Sequence, residues 1–167
     1  GSESTGAIPF MRVVDAEMLA FSQGVTRRGS YASYLHMSHP EIEEFLDVRK
    51  PTGGDANRKC LNLHHAVVVP DSFMELIHNA SKYPDYDDSW PLIDPHTKLT
   101  VKTISARALW VKILQNRMET GEPYLMFEDA VNNDLPDFQK RKGMRVHHSN
   151  LCSCLLYTSD AADEASS

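Results

Sequence analysis

Apolar residues recur at the three- and four-residue spacing of an amphipathic helix in four stretches of the chain. The first helix is predicted over residues 9–22, and the clearest one begins after Ser105 and ends at Gly121. Two more helix starts are predicted by capping boxes, in which a serine precedes a glutamate by three residues. The pairs are Ser38 with Glu41, before Ile42, Phe45 and Leu46, and Ser72 with Glu75, before Leu76, Ile77 and Ala80.

Runs rich in β-branched, aromatic and other apolar residues lie between these helices and predict strands. They cover residues 30–37, 61–69 and 124–127, with a shorter strand over residues 99–102. The apolar end of the second run is typical of a strand buried on both faces of a parallel sheet. Residues 50–54 and the Pro- and Asp-rich stretch 83–95 are predicted as loops, and residues 130–143 as mixed loop and helix. Strands that alternate with helices predict an α/β architecture.

The composition narrows the classes of partner. The 167 residues carry a formal net charge of -6, which argues against broad electrostatic binding to nucleic acid. The longest purely apolar run, residues 66–69, is far too short to span a bilayer. Cys60, Cys152 and Cys154 do not form a disulfide framework, which favours a reducing, cytoplasmic location. The sequence thus predicts no nucleic acid and no membrane as partner.

Two pairs of adjacent histidines, His64-His65 and His147-His148, are the candidates for metal binding. Adjacent residues on a regular element point in different directions, so neither pair is expected to face one ligand. No cysteine pattern with the spacing of a zinc site accompanies them. We therefore expect no metal site in this chain.

The most informative stretch is residues 145–153, Arg-Val-His-His-Ser-Asn-Leu-Cys-Ser. It places Cys152 shortly after Asn150 on a tight polar loop, where a thiol can be a reactive centre. The alternative is an inert buried cysteine that packs as a small apolar side chain. Two further stretches bear on the choice: residues 22–29, Ser-Gln-Gly-Val-Thr-Arg-Arg-Gly, and residues 117–124, Arg-Met-Glu-Thr-Gly-Glu-Pro-Tyr.

In this order and spacing, the three stretches resemble the large catalytic subunit of class I ribonucleotide reductase. The resemblance runs from about Ser4 to Ser153. It implies an α/β fold that is part of a ten-stranded β/α barrel, with the cysteine on a finger loop near the C-terminus. Residues 1–153 are then expected to be a fragment of the barrel domain. In the family a glutamate follows the cysteine by two residues, where this chain has Cys154.

Residues 154–167 differ in character from the rest of the chain. They read Cys-Leu-Leu-Tyr-Thr-Ser-Asp-Ala-Ala-Asp-Glu-Ala-Ser-Ser, which is similar to a translated sequencing adapter. We expect this segment to be a non-native, disordered tail. The alternative is a natural tail rich in Ala, Ser and Asp.

The resemblance implies a radical reaction that replaces the 2′-hydroxyl of a ribonucleotide by hydrogen. A cysteine thiyl abstracts the 3′-hydrogen, which activates the neighbouring C–O bond, and Cys152 matches that cysteine. Asn150 matches the residue that hydrogen-bonds the ribose. Cys152 and Asn150 are thus the expected catalytic residues, and Ser149 is expected to join them in binding the substrate. Cys154 is a poor substitute for the family's glutamate base, so the fragment alone is expected to be inactive.

Residues 22–29 resemble the family's specificity loop, which lies between an effector nucleotide and the substrate base. The two arginines supply phosphate-facing groups, and the glycines permit a close approach to a ligand. The alternative is a basic surface turn that follows a helix. The predicted loop residues are Ser22, Gln23, Gly24, Arg27, Arg28 and Gly29.

The resemblance also implies partners for the intact subunit. A separate metal-containing small subunit would supply the radical, nucleoside triphosphates would act as effectors, and a thioredoxin- or glutaredoxin-type protein would supply electrons. The intact subunit is expected to form a homodimer, and this chain is expected to bind no cofactor directly. One alternative is an adenosylcobalamin-dependent reductase, although Leu151 favours class I because the cobalamin type commonly has proline there. The other alternative is a non-catalytic, nucleotide-binding regulator.

Overall fold

The computed structural model describes residues 5–23 and 26–159 of the chain. Gly24, and the side chains of Ser22 and Gln23, lie outside the described residues. The helices are α1 (Ile8–Ala20), α2 (Ile42–Phe45), α3 (Asp71–Lys82), α4 (Ala106–Thr120), α5 (Glu128–Asn133) and α6 (Asp137–Arg141), with a 3-10 turn over Ala56–Arg58. The strands are β1 (Ser22–Gln23), β2 (Arg27–Arg28), β3 (Ala32–His36), β4 (His64–Val69), β5 (Ser89–Ile93), β6 (Thr100–Ser105), β7 (Tyr124–Phe127), β8 (Arg145–Ser149) and β9 (Leu156–Ser159). None of the helices in these ranges combines the length and the hydropathy needed to cross a bilayer.

A parallel sheet of β3, β4 and β7, in that spatial order, forms the centre of the fold. Ala32 of β3 lies opposite His64 of β4, and Ala66 of β4 lies opposite Tyr124 of β7. β4 is the middle strand, and every residue of it after His64 is buried, as its apolar run predicts. Helices α3 and α4 lie between β4 and β7 in the chain and contact each other. The predicted α/β architecture is therefore confirmed.

The main core lies where the sheet meets α2, α3, α4 and β5. Trp90 of β5 packs edge-on against Phe73 of α3, with ring centroids 4.9 Å apart. Its indole N–H donates to the carbonyl of Met37 at 3.1 Å, so the buried ring has a partner for its polar group. Asn116 of α4 is also buried and donates to the carbonyl of Leu46 at 2.7 Å. This bond fixes α4 to the segment that follows α2.

The helix boundaries confirm the predicted ends of α4 and contradict the two predicted capping boxes. The side chain of Ser105 accepts a hydrogen bond from the backbone N–H of Ala108 at 3.1 Å, and Gly121 has a φ of +79°. Both ends of α4 are therefore as predicted. The two capping-box predictions are wrong. Helix α2 begins after Glu41 and helix α3 begins after Pro70, and no side chain caps either helix start.

Long-range contacts explain the failed capping box at α2. The carboxylate of Glu41 accepts a hydrogen bond from the backbone N–H of Ala7 at 2.6 Å and pairs with Arg58 at 3.0 Å. The carboxylate of Glu41 therefore links the start of α1 to the 3-10 turn and does not cap α2. At α3 the reason is local, since the helix already starts at Asp71 and Ser72 lies inside its first turn.

Residues 83–95, predicted as a loop, contain strand β5, so that prediction is wrong over Ser89–Ile93. β5 pairs antiparallel with β6, and Pro91 lies opposite Thr103. Proline lacks the N–H that a central strand needs, but β5 belongs to a two-stranded sheet, where one side of the strand needs no partner. β6 also extends beyond the predicted residues 99–102, as far as Ser105.

Leu156–Ser159 belong to the segment that the sequence predicts to be a disordered tail. These residues form β9, which pairs antiparallel with β8. Leu, Tyr and Thr favour extended backbone, and pairing satisfies polar groups that β8 would otherwise present at an open edge. Residues 160–167 lie outside the described residues, and the adapter origin of the segment remains a prediction.

Helix α1 ends at Ala20, before the predicted residue 22, and presents most of its apolar side chains to solvent. Ile8 is buried, but Phe10 and Val13 are 66% and 65% exposed, and Phe21 just after the helix is 56% exposed. An apolar face of this kind is typical of a surface that other protein covers.

We expect the isolated chain to self-associate as its concentration rises, because this apolar face can be buried only against another molecule. Sedimentation velocity over a dilution series should show the mean mass growing with concentration. Phe10→Ser should reduce the association, whereas Phe138→Ser, on the separate helix α6, should reduce it less. A soluble monomer that unfolds in one cooperative thermal transition would contradict this expectation.

Candidate active site

Cys152 lies in the turn of the β8–β9 hairpin, and one side chain organises that turn. The amide oxygen of Asn150 accepts hydrogen bonds from the backbone N–H groups of Cys154 at 3.0 Å and Leu155 at 3.1 Å. The N–H of Ser153 donates to the Asn150 carbonyl at 3.0 Å. Ser153 itself has a φ of +54°, a left-handed conformation that reverses the chain tightly. The predicted tight polar loop is therefore present.

The thiol of Cys152 is exposed, so the inert buried alternative does not describe it. The amide nitrogen of Asn150 donates to its sulfur at 3.1 Å and to the sulfur of Cys154 at 3.3 Å. Hydrogen bonding from Cys154, and then from Asn150, holds the pKa of the Cys152 thiol below its ordinary value. These donors favour the thiolate, which is the nucleophilic form of cysteine.

Ser149 and Asn150, predicted to contact substrate, are both used inside the hairpin. Ser149 is buried, and its hydroxyl donates to the carbonyl of Leu155 at 2.6 Å. The amide of Asn150 makes the turn contacts given above and remains partly exposed. The structure therefore brings Ser149, Asn150 and Cys152 together in one turn, where the first two position the third.

An open groove of about 660 Å³ lies beside this hairpin, between α1, β3 and β8. Its volume is in the range of small-molecule sites. One wall is formed by Phe10, Met11 and Val14 of α1, and β8 contributes His147 and His148. The hydroxyl of Tyr34, also in the lining, is buried and has no hydrogen-bond partner among the residues that the structure describes. Cys152 does not line the groove but lies beyond the end of the strand that does.

The predicted specificity loop forms a short antiparallel pair, β1 with β2, in which Ser22 lies opposite Arg28. Gly29 closes it: its N–H donates to the carbonyl of Phe21 at 2.6 Å. A Cβ on Gly29 would lie 2.6 Å from the carbonyl oxygen of Met18, so no larger residue fits without a shift. This close approach is to the end of α1, whereas the sequence predicts an approach to a ligand.

The two arginines of this loop are exposed. Neither Arg27 nor Arg28 has an ion-pair partner among residues 5–23 and 26–159. No described hydrogen bond joins the loop to the turn that holds Cys152. The arrangement leaves both guanidinium groups available to an anion, which the surface-turn alternative would also allow.

The motif over residues 117–124 carries a buried cluster that sequence reasoning missed. The carboxylate of Glu122 accepts from Arg49 at 2.6 Å and from the ring of His65 at 3.1 Å, and it also contacts the ring of His64. Both histidines of one pair therefore face the same carboxylate, contrary to the expectation for adjacent residues. No local sequence pattern predicts these contacts, because Glu122 is distant from both histidines in sequence.

The charge on Glu122 is stabilised by these contacts. Burial alone would raise the pKa of this carboxyl group, but hydrogen bonds from His65, Arg49 and His64 outweigh burial and hold the pKa well below its usual range. The cluster lies at the starts of β4 and β7 and joins them to the segment after α2. Across the described ranges, no set of three or more His, Cys, Asp or Glu residues is arranged to hold a metal ion.

Comparison with known proteins identifies the family. The protein-family model that describes the ribonucleotide reductase barrel domain matches residues 1–166 of this chain. The ribonucleoside-diphosphate reductase large subunit of Invertebrate iridescent virus 6 is 50% identical over 151 residues, which is 90% of this chain and 16% of that protein. The large subunit from Arabidopsis thaliana is 32% identical over 173 residues, or 93% of this chain and 21% of that protein.

A solved structure agrees with the sequence comparisons. The class Id ribonucleotide reductase alpha subunit of Actinobacillus ureae superposes with a TM-score of 0.69 and 30% identity, covering 94% of this chain and 24% of that chain. The chain thus spans a minor part of the length of its relatives. The β3–β4–β7 sheet and its helices correspond to part of their barrel. The chain belongs to the ribonucleotide reductase family, as part of the barrel domain of a class I type large subunit.

Proposed function

We propose that the complete protein reduces ribonucleotides to 2′-deoxyribonucleotides for DNA synthesis, through a thiyl radical on Cys152. The observation that carries the proposal is the placement of this thiol. It is exposed in the turn of a hairpin, and Asn150 holds it at 3.1 Å in a chain of the ribonucleotide reductase family. Cysteine suits the task because its S–H bond is similar in strength to the ribose C–H bond, so hydrogen transfer runs near balance in both directions.

The residues around Cys152 have supporting roles in this proposal. Asn150 has both a donor and an acceptor group, so it can orient a sugar hydroxyl without taking its proton. Ser149 positions the turn through its bond to the Leu155 carbonyl. The family's glutamate base would occupy the position of Cys154, and a thiol is a poor base for a sugar hydroxyl. This chain, with Cys154 at the position of that glutamate, is therefore expected to bind a nucleotide but not to reduce it.

The proposal includes partners that act on the intact subunit. A metal-containing small subunit supplies the radical, nucleoside triphosphates act as effectors, and a thioredoxin- or glutaredoxin-type protein returns electrons. The large subunit forms a homodimer in the cytoplasm. The relatives are named as a large or an alpha subunit, which supports the existence of a second kind of subunit.

The test is an assay of the complete gene product for conversion of ribonucleoside diphosphates to deoxyribonucleotides. We expect turnover with a class I small subunit and none with adenosylcobalamin alone. Turnover that needs only adenosylcobalamin would assign the protein to the cobalamin-dependent reductases, and no turnover under either condition would contradict the proposal.

Cys154 favours a second candidate, a nucleotide-binding regulator that has lost the chemistry. This protein would keep the loop and the hairpin but lack the glutamate base, as the present sequence does. The codon at this position in an independently isolated clone discriminates between the two. Glutamate there supports the enzyme, and cysteine there, together with nucleotide binding but no turnover, supports the regulator.

We also propose that residues 22–29 convey the effector's identity to the substrate site. Arg27→Ala in the complete subunit is expected to change the ranking of the four substrates by several-fold while changing the highest rate less, because the exposed guanidinium binds phosphate without touching the reacting atoms. Turnover of each substrate should be measured with each effector. Arg141→Ala removes another exposed arginine, on α6, and is the matched control. An unchanged ranking in Arg27→Ala would make the loop a surface turn.

A further inference from the structure

Helix α1, which leads directly into residues 22–29, buries a carboxylate against the rest of the chain. Among the residues of this helix, all of which the structure describes, only Ile8 and Asp15 are buried. Asp15 is 3% exposed and lies near the middle of the helix. A buried carboxylate is costly unless its oxygens accept hydrogen bonds, so its partners show what this residue holds in place.

Both oxygens of Asp15 accept hydrogen bonds from the two residues that precede β4. Oδ1 accepts from the backbone N–H of Leu63 at 2.6 Å and from that of Asn62 at 3.1 Å. Oδ2 accepts from the side-chain amide of Asn62 at 3.1 Å. These two residues lead directly into His64, the first residue of β4, so the carboxylate joins α1 to the start of the central strand.

The backbone of α1 also holds the segment that follows residues 22–28. A Cβ on Gly29 would lie 2.6 Å from the carbonyl oxygen of Met18, so the backbone of Gly29 packs directly on the helix. The hydroxyl of Tyr31 donates to the carbonyl of Met11 at 2.7 Å. Both ends of the predicted specificity loop are therefore joined to α1. Because a helix is a rigid element, a shift of α1 against β4 would carry the loop with it.

We propose that Asp15 is a positioning residue, which fixes residues 22–29 relative to β4 and so sets how strongly an effector changes the preference among substrates. The inference rests on the role proposed for residues 22–29 and names the contact on which that role depends. Asp15 is buried, so it acts through the position of the loop and does not touch a nucleotide. Loss of its three hydrogen bonds should weaken the coupling between effector and substrate more than it weakens the chemistry itself.

The first test measures turnover of each substrate with each effector in variants of the complete large subunit. In Asp15→Ala, we expect the effector to change the substrate ranking about tenfold less than in the parent subunit. The rate without effector should change much less. Asp15→Asn should keep most of the effect, because an amide oxygen can still accept from both backbone N–H groups of residues 62–63. Glu17→Ala removes an exposed carboxylate from the same helix and should behave as the parent subunit does.

Amide hydrogen exchange, followed by mass spectrometry on the same preparations, tests the position of the loop without any turnover. Asp15→Ala should speed exchange in peptides that cover residues 22–30 as well as residues 60–66, whereas Asp15→Asn and Glu17→Ala should not. A role confined to stability would speed exchange around residues 60–66 and leave the substrate ranking unchanged.

The inference is overturned if Asp15→Ala keeps either the effector dependence of the parent subunit or the exchange protection of residues 22–30, or if Glu17→Ala loses as much. If Asp15→Ala does not fold, Asn62→Ala is the second variant, since it removes only one donor from an exposed residue. It should reduce the effector dependence by a smaller factor, and no reduction would overturn the inference. A parent subunit without effector dependence contradicts the proposed function, and exchange of residues 22–30 then decides whether Asp15 positions the loop.

Discussion

Cys152→Ser in the complete large subunit is expected to lower ribonucleotide reduction by about a thousandfold or more, equivalent to about 4 kcal/mol in the activation barrier. The hydroxyl O–H bond is much stronger than the ribose C–H bond, so serine cannot carry a hydrogen atom reversibly. Serine is close to cysteine in size, and the residue is exposed, so the fold should tolerate the change. Turnover and equilibrium nucleotide binding should be measured on the same preparation.

Cys60→Ala is the matched control for this prediction. Cys60 is a buried thiol far from Cys152 in sequence, and its removal should leave reduction near the parent rate. Full activity in Cys152→Ser would exclude a radical role for this sulfur. Loss of nucleotide binding together with turnover would show that the variant damages the site and not only its chemistry.

Glu122→Gln is expected to lower the free energy of unfolding of this chain by about 2–3 kcal/mol at pH 7. The substitution keeps the shape but removes the charge that Arg49 and the two histidines face, and breaking a buried ion pair at one partner is costly. The expected loss of stability is smaller than the usual cost of breaking a buried ion pair, because a quarter of the Arg49 side chain is exposed to water. Urea unfolding, followed by the fluorescence of Trp90 and Trp110, measures the difference at low protein concentration.

The pH dependence of this difference has a definite sign. The folded-state pKa of Glu122 lies below its ordinary value of about 4.3, so its contribution is complete above that value and is lost as the pH falls below it. The gap between the parent chain and Glu122→Gln should therefore narrow from pH 7 toward about pH 3. Glu119→Gln, on an exposed side chain of α4 that is 3.6 Å from Lys50, should cost less than about 1 kcal/mol. Equal losses in the two variants would contradict a special role for the buried carboxylate.

The elements that local pattern specifies could be predicted from sequence. The apolar end of β4 predicts a buried parallel strand, and Ser105 and Gly121 predict both ends of α4, because caps act on backbone groups within a few residues. β5 could not be predicted in this way. Its proline is compatible with a strand only because that strand lies in a two-stranded sheet, which is a property of the tertiary fold.

In the candidate site too, contacts that are local in sequence could be predicted, and contacts that depend on the tertiary fold could not. The turn around Cys152 was predictable because Asn150 makes its contacts within five residues along the chain. The Glu122 cluster was not, since 58 residues separate Glu122 from His64 and only the pairing of β4 beside β7 brings them together. The resemblance to a family supplied the chemistry of Cys152, which no spacing in this chain specifies by itself.

The amide of Asn150 has a further consequence for any nucleotide that binds here. Its oxygen already closes the turn, and its nitrogen already contacts both sulfur atoms. A ribose hydroxyl that recruits this amide must compete with those bonds and displace some of them. A sugar bound here would thus loosen the turn that holds the thiol of Cys152.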